Sequence, residues 1–250
     1  MSWGGMLFSH LLLSLPPPAL VSIHPYINYL SVHLLFTGLF YAFPGLLDID
    51  KMKTYDLVLF PIDALLRVNA ITSTVGMLSS SPSPSPSPQG NPNYARIHPA
   101  LVDSPLFHLI LGAVASAGGS VTASTFSTFT PNWSFSTPVF LRPGVGLLGT
   151  MDIWGGALIA LVFGVSSGHK AFRGVVPGWV ERLVQVHVEG EGEAKTLVLS
   201  QKGAKALGAL VLTVLFGYRA VVGWVGAQQQ QQQVGKVEAS KKMQGAKKKQ

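Results

Sequence analysis

Between Leu57 and Leu78 runs LVLFPIDALLRVNAITSTVGML, 22 mostly apolar residues with an acid and a base inside. At about 1.5 Å per residue such a helix crosses the roughly 30 Å hydrocarbon core of a bilayer. Asp63 and Arg67 stand four residues apart and therefore share one helical face. A lone charge at the bilayer centre costs on the order of 3 kcal/mol or more unless it is paired or hydrated. Two arrangements meet that demand. Either Asp63 and Arg67 neutralise each other and lock helices together, or they border an ion or solute path. Pro61, just ahead, removes a backbone donor and predicts a kink that neighbouring helices must compensate.

Composition points the same way. Of 250 residues 48% are apolar and only 12% charged, about half the ~25% charge of a soluble domain, and mean hydropathy is +0.37. The net charge of +7 is uneven, because Lys236, Lys241, Lys242, Lys247, Lys248 and Lys249 fall in the last fifteen residues. The remainder is nearly neutral, which excludes an extended nucleic-acid surface. With no cysteine, disulfides, thiolate metal sites and cysteine nucleophiles are excluded as well.

Residues 1–23 carry an apolar run broken by Pro16, Pro17 and Pro18, a short first membrane helix or N-terminal segment rather than a signal peptide. His24-Pro25 opens a second run to Phe43 with aromatics at both edges, as interface belts require. A charged turn, LLDIDKMKTYD, leads to the 57–78 helix and completes a first membrane half over 24–78. The Ser-Pro repeat lies within a linker over 79–103, extended and solvated. A second membrane half spans 104–227. Its first helix is lined by small residues, among them Gly118, Gly119, Ser120 and Thr122. Such a stretch either packs tightly or unwinds to line a cavity. A loop with Trp133 and Phe135 is expected at the interface. The next span, 144–167, holds Asp152 in its first third, near headgroup depth. The segment from Phe172 to Val188 reads as amphipathic and interfacial. The last span, 203–227, places Lys205 and Arg219 where both can snorkel. Residues 228–250, rich in Gln and Lys, are expected to be disordered, with an affinity for anionic lipid.

No phosphate-binding loop, nucleophile elbow, zinc-protease motif or dinucleotide fingerprint occurs, and the seven histidines lack metal-ligand spacing. No metal or cofactor is expected, and the chain does not read as an enzyme. An enzymatic alternative would need His33, His108 and Asp63 gathered in one cavity. His108 in an apolar run reads as a packed, hydrogen-bonded residue.

In this order the segments resemble the trimeric intracellular cation channel family of internal membranes. Four places carry the likeness: His24-Pro25 before a span containing His33; Phe60-Pro61-Ile62-Asp63 with Arg67; Gly118-Gly119 running into Ser124-Thr125-Phe126; and Trp154-Gly155-Gly156-Ala157-Leu158 after Pro143. The lysine-rich end is similar to that of some members. Ser116 stands where the family has a pore lysine tied to lipid headgroups, and the Ser-Pro linker replaces a basic stretch after the third helix. Seven helices are usual in the family; five firm spans are read here.

The resemblance implies an all-α polytopic transmembrane helix bundle of five to seven helices in two pseudo-repeated halves. It further implies a homotrimer with one pore per subunit, passing monovalent, potassium-like cations across the endoplasmic reticulum or another internal membrane for counter-ion balance. Anionic lipid is the one bound ligand it allows, and the bilayer is the partner. On this reading Asp63, Arg67, Gly118, Gly119, Ser120 and Thr122 are the candidate ion pathway, with Asp152 secondary. The alternative is a non-conducting membrane scaffold. One conflict stands: Lys170, Arg173 and Arg182 lie one span before the lysine-rich tail, so the positive-inside rule fits only one of them unless a segment is re-entrant or an interfacial run crosses.

Overall fold

The computed structural model describes residues 3–78, 96–128, 130–175, 177–178, 186–188, 195–197 and 199–247. The Ser-Pro repeat and most of the acidic run after residue 188 lie outside them. The described chain is helical apart from a two-stranded antiparallel ribbon, β1 (Val186–Val188) against β2 (Lys195–Leu197), with His187 opposite Thr196. The segment expected to lie as an amphipathic helix therefore ends in a strand. Its first residue, Phe172, is buried against the bundle instead of lying on a membrane surface.

The helices are α1 (Gly4–Leu12), α2 (Pro18–Val21), α3 (His24–Ala42), α4 (Ile49–Gly76), α5 (Pro99–Val102), α6 (Pro105–Thr125), α7 (Gly146–Gly149), α8 (Met151–Ser166) and α9 (Gln201–Lys247). Local chemistry sets their ends. Proline occupies the first turn of α2, α3, α5 and α6, where its missing N–H costs nothing. Ser104 caps α6 by accepting from the Phe107 N–H at 3.2 Å. Helix α8 ends on Gly168, whose φ of +68° lets the His169 N–H reach back to the Gly164 carbonyl. Helix α4 begins at Ile49, so the charged turn expected before it is largely helical. The tail expected to be disordered continues α9 to Lys247, with no proline to interrupt it.

Four helices make the core. α4, α6, α8 and α9 pack in an up-down-up-down square: α6 touches α4 and α8, α9 touches α8 and α4, and α4 also meets α8 across the diagonal. Ala64, Val68, Ile71, Ile159, Phe163, Leu212 and Phe216 fill the space between α4, α8 and α9. Helix α1 lies along α6, and its end joins Leu13 and Leu15 to Leu78, Val102 and Leu111 at one end of the square. Because α8 and α9 are antiparallel, Lys170 and Arg173, just after α8, and the end of α9 at Lys247 sit at opposite ends of the bundle, while Arg182 lies outside the described residues.

The surface is inverted relative to a soluble domain. Leu65, Leu66, Ile110, Leu210 and Val214 face outward while charged groups face in. Three helical stretches are long and apolar enough to cross a membrane, Thr54–Gly76, Pro105–Thr125 and Gln201–Gly226, which is the pattern of a membrane protein. The count is below the five spans read from sequence. The 144–167 run breaks at Thr150 into α7 and a 16-residue α8, which is about 24 Å long. Helix α3 carries several polar residues, has no buried residue, and meets its sequence neighbours and the Trp3 ring ahead of α1, which lies against Tyr26 and Tyr29.

Glycine decides how closely α6 approaches its partners. A Cβ on Gly156 would stand 2.5 Å from the Gly112 carbonyl oxygen, and one on Gly118 would stand 2.7 Å from the Gly5 Cα. Helix α6 is continuous from Pro105 to Thr125, so its small residues serve close packing and do not unwind the backbone. Gly156→Val is expected to destabilise the detergent-solubilised protein by about 2–3 kcal/mol through overpacking. Gly38→Ala, at a site with nothing within 4 Å, should be neutral or slightly stabilising; thermal melts of the two variants check the contrast.

Candidate functional site

The intramembrane charges form a ladder. Helix α4 presents Asp63 and Arg67 one turn apart, and Arg67 Nε donates to both Asp63 carboxylate oxygens at 3.0 and 3.2 Å. The same guanidinium turns its Nη1 to the Ser116 carbonyl of α6 at 3.1 Å and to Asp152 Oδ1 of α8 at 3.3 Å. Arg219 of α9 completes the ladder, with Nη1 2.8 Å from Asp152 Oδ1. Phe216, one turn before Arg219, lies under both guanidiniums, 5.2 Å from the Arg67 Cζ and 4.4 Å from that of Arg219. All four core helices are thus tied by one charge-neutral quartet.

Asp152 is its hub. It lies in the first turn of α8, where the helix dipole favours a carboxylate. Because α8 is short, that turn stands level with Arg67, midway along the α4 span. Sequence reading put Asp152 at headgroup depth and let Arg219 snorkel; both instead turn inward, since each answers the other's charge away from lipid. Sequence could not show this pairing, because 67 positions separate the two residues. An acid and a base in two predicted spans were the only signal available.

Asp63 is the exposed member, 44% accessible against 22% for Asp152. Its free side borders a cleft of about 540 Å³ between α4 and α9, lined by Asp56, Asp63 and Arg219 with Phe60, Phe216 and Trp224. Among its lining residues two carboxylates, Asp56 and Asp63, face one guanidinium, Arg219, which leaves one net negative charge among the described residues there.

The other residues read as pathway candidates lie elsewhere. Gly118 and Gly119 pack on Gly4 and Gly5 of α1. Ser120 Oγ donates to the Ala117 carbonyl at 3.0 Å and Thr122 Oγ1 to that of Gly118, so both hydroxyls bond their own helix. They do not join Asp63 and Arg67. His33 stacks on Tyr29, His108 packs at a tilt against His169 and Asp63 accepts from Arg67, so the structure does not gather the trio an enzymatic site would need. Among the described residues no three metal-ligating side chains cluster. No protein-family model, curated protein or solved structure matches the chain.

The ladder ranks its members. Asp152→Asn leaves Arg219 without its acid and Arg67 with Asp63 alone, and should cost about 2–3 kcal/mol, below the fully buried case because the groups keep some solvent access. Asp63→Asn should cost under about 1 kcal/mol. Denaturation in detergent, compared variant by variant, tests that order.

Proposed function

We propose that the chain is an integral membrane protein that passes monovalent cations, with the α4–α9 cleft as the entry to its path. The observation that carries this reading is the net negative charge of the described residues lining that cleft, set in helices whose outer faces are apolar. Asp56 and Asp63 offer carboxylate oxygens to a partly dehydrated cation, and ringed acids favour cations over anions. Arg67, held by Asp63 and Asp152, would act as the gate, and passage would require its guanidinium to move. The family resemblance extends the proposal to a bundle of five to seven helices in two related halves, a homotrimer, potassium-like selectivity and an internal membrane such as the endoplasmic reticulum. α3 and α8 would be the additional membrane segments.

A second reading, a non-conducting scaffold, is favoured by a separate observation. The glycine faces of α1, α6 and α8 are consumed in helix contacts, and the quartet is internally neutral. Flux separates the two. In proteoliposomes the purified chain should release K⁺ faster than protein-free vesicles, with K⁺ preferred to Cl⁻, and the pair Asp56→Asn, Asp63→Asn should lower that preference several-fold. A correctly folded, reconstituted protein that leaves vesicles ion-tight would overturn conduction and leave the scaffold.

A further inference from the structure

A buried histidine and a half-buried one lie together at the end of the bundle away from the cleft, and the charge ladder does not use them. His108, in the first turns of α6, is fully buried. His169 follows the glycine cap of α8, which swings it over His108 with ring centroids 4.5 Å apart. The edge of Phe172 closes the cluster, 5.4 Å from the His108 ring, and Gly164 leaves room for the Phe172 ring.

The surroundings fix the tautomers. His108 Nε2 lies 2.9 Å from the Val102 carbonyl, which can only accept, so Nε2 carries the proton and Nδ1 is a bare acceptor. His169 Nδ1 accepts the Ala171 N–H at 3.2 Å, so its proton is on Nε2. The two ring atoms left without a hydrogen-bond partner, both buried, are His108 Nδ1 and His169 Nε2. Neutral, the two rings pack against each other with no charge to answer.

We propose that this pair is a proton-sensitive latch: neutral, it holds the His169–Phe172 turn against α5 and α6; protonated, it releases that turn. A proton on His108 must enter at Nδ1, a buried atom with no acceptor in hydrogen-bond reach, so the cation goes unanswered. A proton on His169 must enter at Nδ1 and removes the acceptor that caps the Ala171 N–H. Other groups facing the pair are few. The Leu78 carbonyl at the end of α4 and Asp103 after α5 favour the cation, while Lys170, bridged to Asp103 at 2.9 Å, opposes it. Burial is the largest influence on His169 and holds it below the ordinary histidine value. A lowered value in the folded state means that the unfolded chain binds the proton first. The latch is therefore intact above about pH 6.5 and weakens as pH falls below it. This inference does not depend on conduction.

The chain has no cysteine, so one introduced thiol reports locally. Ala171 is 6% exposed; Ala171→Cys, reconstituted in lipid, would be labelled with a thiol reagent at about pH 7.5 and about pH 5.5. The exposed Arg173→Cys corrects for the reagent's own pH dependence. Corrected labelling of Ala171→Cys should rise about tenfold on acidification. Adding His169→Asn, which keeps an acceptor for the Ala171 N–H, or His108→Gln, which keeps the donor to Val102, should abolish the rise. Either background decides if the other misfolds, and the first comparison needs neither. Equal corrected labelling at both pH values, or a rise that survives in the histidine variants, overturns the latch.

Discussion

Two guanidiniums share one carboxylate in the middle of this bundle, and the helices can enter an apolar medium only because they do. Arg67 and Arg219 each bring a full positive charge into a span, and Asp152 answers both from a third helix. Removing one member does not merely lose a bond; it leaves an ion without a partner where water is scarce. Phe216 adds to the arrangement by presenting its ring to both cations. The ladder thus sets the register of α4, α8 and α9, and Arg67's bond to the Ser116 carbonyl adds α6.

Close approach of backbones makes the ladder's reach possible. Arg67 spans from α4 to α6 and α8 because Gly112 and Gly156 let α6 and α8 nearly touch. A bulkier residue at either glycine would push α8, and Asp152 with it, away from both arginines. Packing and electrostatics are therefore one constraint. The small residues need no role beyond this, whereas the cleft beside Asp63 is surplus to it. That surplus, with its unbalanced charge, is where a path for cations can begin.

Much of this was legible in the chain, for physical reasons that can be named. An acid and a base four residues apart inside an apolar run must meet, and Asp63 and Arg67 do. Small residues at 112–124 could pack closely or unwind, and α6 stays continuous and packs, although which helix they meet was hidden. The role of Asp152 was not legible, since its depth depends on α8 being short and on Arg219 arriving from far along the sequence. Propensity missed the ribbon at 186–197, where tertiary pairing overrides a weak amphipathic signal. The tail shows the reverse case: composition argued for disorder, while Gln, Lys, Ala and Met, with no proline among them, carry α9 through it despite Gly235 and Gly245.

The account stands on Asp152 and Arg219 acting as a pair inside the membrane-embedded bundle. A double-mutant cycle with Asp152→Asn and Arg219→Gln, read by unfolding in lipid-like micelles, measures that directly. The account predicts a coupling energy of about 1–3 kcal/mol, so that the double variant is more stable than the summed single losses imply. Strict additivity of the two substitutions would contradict it.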